Sequence, residues 1–552
     1  MESAFADPRP AQERKLLAIL RRNEGTLFGK SLGFGSIRSN AEFRRRLPIS
    51  NYDGHADFID RMVRGQKNVL TADDPVFFAV TSGSTGPRKY IPNNRELEKD
   101  LADAQLYWLT RLIRDDGRYA NWKYLYLSSP PFDGTTAAGI PYGSISGRIF
   151  GRQERHISSL FSRYLSWGRA IPESISAIKD SDLKRRLIAR LALKRNLGSI
   201  ETANPSTIVF FFRYIQDHGE ALARDIRDGG LPEDIQFALA QEDVLYLKAR
   251  LKPDASAAGR LEKALKENPL GPKKLWPGLR IINCWLGGTL FFYVSELRRY
   301  TRDIPLRDVG FRASEGFFAI PLANETPAGV LNVFGHFMEF LEEGSASRET
   351  VLVDEIEIGK KYRLIVTQAG GLYRYDMEDI IEVESFYKRT PVVRFLHRAE
   401  GTLSLTGEKV TETHFLRAMD RLRPALDLRD IEFALGVREE MPPRYVLFLE
   451  IKKEAASLRG DQGETARRLD DGLRGLNCEY EAKRASGRLG PPLVVRVRPG
   501  SFEEFRRKFS GRDEDDSQYK PRYLIGREAE RRWLEERALD DSLGARKTPQ
   551  AS

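Results

Sequence analysis

The sequence predicts an α/β protein in two parts: a large N-terminal domain over residues 1–398 and a small α+β C-terminal domain over 399–552. Three observations predict it. In the first half, short apolar runs such as FFAV (77–80) and KYLYLSS (123–129) alternate with helical patterns. From residue 308 the style changes to strands of alternating polarity separated by turns. After about residue 399 the composition shifts again, and IEFALGVREE, RYVLFLEIKKE and LVVRVRPG read as strands between two amphipathic helices.

The elements follow in order. Residues 10–23 read as a surface helix, and 47–65 as a turn and then a helix with Phe58, Ile59 and Met62 on one face. FFAV is a strand. Residues 93–116 form a long helix, capped by asparagine and ended near Gly117. KYLYLSS is a strand, followed by the Gly/Ser/Thr-rich stretch 130–147. Residues 155–270 read as mostly helical and arginine-rich. LWPGLRIINCWLGG (275–288) is a turn, a buried strand and a glycine loop. The stretches VGFRASEGFFAI, GVLNVFGHFMEFLE, VLVDEIEIGKKYRLIVTQAGGLYRYDMEDIIEVESF and PVVRFLHRAEGTLSLTGEKV form the strand run, and the tail after about 541 is expected to be disordered.

Composition narrows the class. The chain has 552 residues, 41% hydrophobic and 30% charged, which is globular. Two cysteines give no disulfide framework and fit a reducing compartment, and the six histidines do not pair with cysteines at zinc spacing. The most apolar runs, 206–215 and 287–294, are far shorter than the ~20 residues that span a bilayer. No signal peptide is visible at the start. A cytoplasmic, monomeric enzyme off the membrane is the expectation. The net charge is +10, but arginines are interleaved with acids nearly everywhere, which reads as a solvated surface and not a nucleic-acid face.

The stretch TSGSTGPRK (81–89) carries the first chemistry. Gly83 and Gly86 let backbone N–H groups approach a ligand, and successive exposed N–H groups suit an anion. Thr81, Ser82, Ser84 and Thr85 add hydroxyls and Lys89 adds charge, so a polyphosphate is the natural guest. The Walker loop does not match: Arg88 stands where its second glycine belongs, and Tyr90 follows the lysine. Taken alone, the stretch is either another phosphate loop or an ordinary turn.

Four further clusters lie far apart: Phe311-Arg312-Ala313-Ser314-Glu315-Gly316, the segment GLYRYDMED (371–379), Arg398 followed by Glu408-Lys409, and Gln518-Tyr519-Lys520-Pro521-Arg522. In this order the set resembles the adenylate-forming superfamily of ligases and, within it, the acyl-acid amido synthetases of the Gretchen Hagen family. TSGSTGPRK is similar to the superfamily's phosphate loop. FRASE resembles the family's tyrosine-alanine-serine-serine-glutamate motif, and YDMED its tyrosine-arginine-any-glycine-aspartate motif. RFLHRAEGTLSLTGEKVTE resembles the hinge and the lysine segment after it, and QYKPR the C-terminal lysine motif. FRRRLPISNYDG, GIPYGSISG and LWPGLRIINCW are weaker matches. The resemblance runs from about 40 to 525. There are departures: Phe311 replaces tyrosine, Asp376 stands at the arginine and Glu378 at the glycine, which puts the local backbone there in question.

The resemblance implies an adenylate-forming fold: β-sheets flanked by helices plus a β-barrel-like part, with a small mobile C-terminal domain on a hinge. It implies a reaction in which ATP activates a carboxylic acid as acyl-adenylate, releasing pyrophosphate, and the amine of an amino acid then takes the acyl group, releasing AMP. By the same resemblance the loop from Thr81 to Lys89 wraps the β- and γ-phosphates. Glu315 holds Mg²⁺, a cation that favours carboxylate plus phosphate oxygens. Phe311 stacks on adenine, Ala313 and Ser314 pass alongside the nucleotide, and Tyr375 belongs to the nucleotide set. Asp379 accepts hydrogen bonds from the ribose hydroxyls. Arg398 touches ribose or phosphate, and Lys409 and Lys520 are the catalytic lysines of the smaller domain. Phe210, Tyr214, Trp285, Gly287, Gly288 and Tyr142–Ser144 are candidate walls for an apolar or aromatic acid; for IVFFFRYI, core is the competing reading. An acyl-coenzyme A ligase of the same superfamily and a catalytically decayed binding member share much of the pattern.

Overall fold

The computed structural model describes residues 1–81, 89–127, 132–145, 168–172, 175, 178, 180–231, 241–344, 349–398, 401–405, 408, 410–423, 431–440, 442–452, 462–510 and 522–539. Ser82, Gly83, Ser84, Thr85, Lys409, Lys520 and the tail expected to be disordered lie outside the described residues, as do the side chains of Thr81 and Arg398. The described chain forms two compact units, Met1–Leu396 and the part from His397 onward.

After a short helical turn over Glu2–Ala6, the first unit has helix α1 (Pro8–Asn23), whose Leu16, Ile19 and Leu20 are buried. Helix α2 (Asp53–Val63) buries His55, Ile59 and Met62; Phe58 is half-buried, edge-on to Phe28 at 5.1 Å. Strands β1 (Phe77–Thr81) and β2 (Lys89–Asn93) then pair antiparallel, with Thr81 opposite Lys89. Helix α3 (Arg95–Asp115) follows. The Asn94 side chain accepts the Leu97 N–H at 2.9 Å, and Glu96 and Glu98 suit the positive end of the helix dipole. Its Leu97, Leu101, Ala104, Trp108 and Leu112 recur every three or four residues and are buried.

A parallel sheet orders β3 (Lys123–Tyr126), β6 (Leu197–Glu201), β7 (Ile281–Asn283) and β8 (Leu306–Arg307). Between β3 and β6 in sequence, β4 (Gly134–Thr135) and β5 (Pro141–Gly143) join β1 and β2 in a second sheet. Strand β6 breaks the stretch expected to be mostly helical. All five of its residues are buried, so it shows no alternation, and Gly198 and Ser199 further mask it. The apolar run 206–215 lies in helix α4 (Pro205–Asp217), started by proline and capped by Asn204, which accepts the Ser206 N–H at 3.0 Å.

The strand-rich region after residue 308 is a seven-stranded sheet. Its strands are β9 (Phe311–Ala313), β10 (Gly316–Pro321), β11 (Gly329–Leu331), β12 (Phe337–Glu342), β13 (Lys361–Thr367), β14 (Tyr375–Tyr387) and β15 (Thr390–Arg398), in the spatial order β12-β13-β14-β15-β11-β10-β9. Residues 352–360 are mostly turn where the pattern suggested strand, although Leu352, Val353 and Ile356 are buried.

The second unit is α+β. Two short strands, β16 (Thr402–Leu403) and β17 (Val410–Thr411), pair with each other. A four-stranded sheet orders β20 (Leu493–Val497), β19 (Arg444–Ile451), β18 (Ile431–Arg438) and β21 (Leu524–Ile525). Helix α5 (Glu412–Leu422) packs against α6 (Gln462–Arg474) through buried residues of each, with Gly472 close enough to Ala418 that a Cβ there would lie 3.0 Å from the alanine Cβ. Among the described residues, no helix is long and apolar enough to cross a membrane.

Candidate functional site

The segment 44–55 ties several of the predicted clusters together. Tyr52 Oη accepts the Tyr90 N–H at 3.0 Å, so it holds the strand that leaves the phosphate-loop stretch. The Lys89 ammonium lies 5.5 Å from the Tyr52 ring centroid. Ser50 exchanges backbone hydrogen bonds with the 371–379 cluster: its N–H donates to Arg374 O at 3.1 Å and its carbonyl accepts the Asp376 N–H at 2.9 Å. His55 Nε2 accepts the Tyr373 N–H at 3.2 Å. The weak sequence match at FRRRLPISNYDG thus marks a physical brace.

Residues 82–88 connect two antiparallel strands whose last pair is Thr81 and Lys89. Lys89 is the first residue of the return strand β2 and is half-exposed.

Ser314 and Glu315 form the two-residue turn between β9 and β10, with Ala313 opposite Gly316. Glu315 is buried at that turn. The Phe311 ring stacks on Phe395, 5.3 Å between centroids and 28° between planes, and tilts against Phe318. Phe395 also abuts the glycine loop. Gly288 has φ +61, and a Cβ there would lie 2.9 Å from Phe395 Cε1. A Cβ at Gly287 would lie 3.0 Å from that of Pro327. Trp285 Nε1 donates to Gly310 O at 2.8 Å, which joins this loop to the start of β9. Gly288→Ala is accordingly expected to destabilise the chain by about 1–2 kcal/mol, the cost of a left-handed non-glycine residue plus displacement of Phe395. Denaturant unfolding checks this, and an unchanged midpoint would show that the loop relaxes freely.

Asp308 was not legible in the sequence and organises this corner. Its carboxyl accepts the Leu286 N–H at 2.7 Å and the Gly310 N–H at 2.6 Å. Burial pushes it up to about 7, against the downward pull of those two N–H groups. Arg312 is another. Its guanidinium lies 3.8 Å from the Phe317 ring centroid, with Nε and Nη2 sealed from solvent and lacking a hydrogen-bond partner among the described residues. Burial lowers it to about 10, partly offset by Tyr126, Asp308 and Glu201.

Asp379 sits in an irregularity of β14. Arg363 pairs with Ile380, yet Ile365 pairs with Asp376, so β14 carries two more residues than β13 over that span. Asp379 is buried there. Tyr375 is 5% exposed and edge-on to His55 at 5.8 Å, within the core beneath the segment.

The other acyl-wall candidates divide. On α4, Phe211, Phe212 and Ile215 are core and Tyr214 is buried, stacked on His218 at 4.2 Å. Phe210 is half-exposed, edge-on to Tyr293 at 6.2 Å. Tyr142, on β5 beside β1, packs edge-on to Tyr90 at 5.5 Å.

In the second unit, Lys409 follows Glu408, which is 1% exposed. Glu408 accepts the Leu405 N–H at 2.8 Å and a short hydrogen bond from Tyr445 Oη, while its carbonyl accepts Asn477 Nδ2 at 2.8 Å. Of QYKPR, only Arg522 is described; it clasps Glu530 through both terminal nitrogens at 3.0 and 2.9 Å.

A resident metal would need several ligating side chains. Among the described residues, no group of three or more His, Cys, Asp or Glu is placed to hold one. Glu315 as a single carboxylate at a turn fits Mg²⁺ carried largely by the phosphates of a nucleotide.

Comparison with known proteins agrees with this layout. The GH3 family N-terminal domain model matches residues 1–306, the GH3 family central domain 329–398 and the GH3 family C-terminal domain 413–529. Indole-3-acetic acid-amido synthetase GH3.8 of Oryza sativa subsp. indica is 26% identical, covering 92% of this chain and 87% of its own. Jasmonoyl--L-amino acid synthetase GH3.5 of Oryza sativa subsp. japonica is 26% identical over 95% of this chain and 93% of its own. The 4-substituted benzoates-glutamate ligase GH3.12 of Arabidopsis thaliana is 24% identical over 87% and 86%. Among solved structures, AtGH3.15 acyl acid amido synthetase in complex with 2,4-DB superposes with a TM-score of 0.82 at 23% identity, covering 98% of this chain and 95% of that one. That likeness establishes the fold, a large N-terminal and a smaller C-terminal domain.

Proposed function

The chain belongs to the GH3 family, and from that premise we propose that it is an ATP-dependent acyl-acid amido synthetase. It joins a small apolar or aromatic carboxylic acid to the amine of an amino acid through an acyl-adenylate. The observation that carries this reading is the ordered match of three family domains, together with relatives that are themselves amido synthetases or amino acid ligases.

The first half-reaction joins an anionic nucleophile to a polyanion, so it needs charge neutralisation and in-line positioning. Thr81 to Lys89 would serve the β- and γ-phosphates, with Lys89 anchored on β2 beside Tyr52. Glu315 would bind Mg²⁺, which when present neutralises phosphate charge. Phe311, backed by Phe395, offers a flat face to adenine, and Ala313 and Ser314 line the nucleotide beside it. Asp379 would accept the ribose hydroxyls, with Tyr375 supporting its strand from the core, and Arg398 would add a contact to ribose or phosphate. The acid would lie along Trp285, Gly287 and Gly288, with Phe210 and Tyr214 as further walls. Lys520 would stabilise charge on the acid carboxylate or α-phosphate during adenylation, and Lys409 is the second lysine of the smaller domain. That domain, from 399 to 552, would turn on its hinge between the half-reactions. The protein is read as a cytoplasmic monomer that binds neither nucleic acid nor membrane.

Acid-dependent pyrophosphate exchange across a panel of carboxylic acids, followed by product mass with mixed amino acids, tests the reading. Exchange with at least one acid and an amide product are expected. Transfer to coenzyme A in preference to every amino acid would make it an acyl-coenzyme A ligase. Exchange absent across a broad panel would make it a decayed binding protein.

A further inference from the structure

The clearest departure from the family pattern lies at the 371–379 cluster, and the structure gives it a physical setting. Glu378 stands at the motif's glycine and adopts φ +57. A left-handed backbone is strained for a non-glycine residue and nearly free for glycine. The strain is held by Asp376, which stands at the motif's arginine. Its Oδ1 accepts the Glu378 N–H at 2.8 Å. The same carboxylate grips Arg363 of the neighbouring strand through both oxygens, Nε to Oδ1 at 2.7 Å and Nη2 to Oδ2 at 2.6 Å. Arg363 Nη2 also lies 3.9 Å from the Glu378 carboxylate. This pairing spans the place where β13 and β14 change register, with Met377, Glu378 and Asp379 in the extra length.

The two exchanges belong together. With glycine at 378 the left-handed turn needs no support. With glutamate it needs an acceptor for its N–H and an anchor for that acceptor. Aspartate at 376 supplies the first, and reversing the charge there recruits Arg363 as the second. The residue that follows directly is Asp379.

We propose that Asp376 and Arg363 are positioning residues that hold the bulge of β14 so that Asp379 meets the nucleotide ribose, a substitute within this chain for the glycine of the family motif. The proposal rests on Asp379 serving the ribose in the proposed function.

Titration calorimetry of ATP and of 2′-deoxy-ATP, with Mg²⁺ and without an acid substrate, separates the two claims. The parent chain is expected to bind ATP more tightly than the deoxy analogue. Asp376→Ala is expected to weaken ATP about tenfold and 2′-deoxy-ATP, which keeps only the 3′ hydroxyl, about threefold, so that discrimination shrinks. Adding Glu378→Gly to Asp376→Ala is expected to restore ATP binding to within about threefold of the parent, because glycine takes the same backbone unaided. Adding Asp376→Ala to Asp379→Ala is expected to weaken ATP no further. If Asp376→Ala does not fold, Arg363→Met carries the same comparison, with a loss of about threefold that Glu378→Gly reverses. Failure of the rescue while the parent still discriminates would overturn the positioning role alone. Equal affinity of the parent for ATP and 2′-deoxy-ATP would overturn the ribose role of Asp379, and the proposal with it.

Discussion

Arg374→Met is expected to cost the N-terminal unit about 3–5 kcal/mol. Arg374 is buried, and all its donors are used. Nε and Nη2 hold Glu339 at 3.0 and 2.8 Å, Nη1 donates to the carbonyls of Arg44 and Leu47 at 2.8 and 2.6 Å, and Nη2 also reaches Thr350 Oγ1 at 3.3 Å. Glu339 is 1% exposed, so methionine would leave a carboxylate in the core with no cation. The same change releases the segment 44–47, which leads into the brace that reaches Tyr90 and Asp376. Denaturant unfolding measures the loss. Arg374→Met with Glu339→Leu should lose distinctly less than Arg374→Met alone, since no unpaired charge remains. A single variant within about 1 kcal/mol of the parent would show that the pair is solvated.

Lys89→Ala is expected to have the opposite signature, a large loss of activity with little loss of stability. The side chain is half-exposed, and its one described contact is with the Tyr52 ring, worth about 0.5–1 kcal/mol at such a site. Its proposed task is to neutralise the β- and γ-phosphates while the α-phosphorus is attacked, and removing one such donor typically costs tenfold or more. Pyrophosphate exchange should therefore fall at least about tenfold, with the unfolding midpoint nearly unchanged. Normal exchange in the variant would remove Lys89 from the site. A parallel fall in stability would make it a structural residue of β2.

Much of the local structure was determined by the sequence alone, because short-range rules decide it. The asparagine cap and apolar spacing of 95–115 set a helix whatever its neighbours, and alternation set most strands after 308. Departures were also visible: Asp376 and Glu378 stand out as changes to a motif from residue identity and order. Which partners they take was decided only by tertiary structure, because the partner of Asp376 is Arg363 on the adjacent strand, which no local pattern connects to it. The same holds for Asp308, whose acceptor role needs Leu286 and Gly310 brought together, and for Phe395, which links Gly288 to Phe311 although both lie far from it in sequence. Strand β6 is not legible in the sequence for the related reason that a strand buried on both faces carries no alternation. Caps, turns and periodicity depend on a residue and its near neighbours, so they can be read along the chain. Burial, register and long-range pairing depend on which surfaces meet, and only the folded chain decides that.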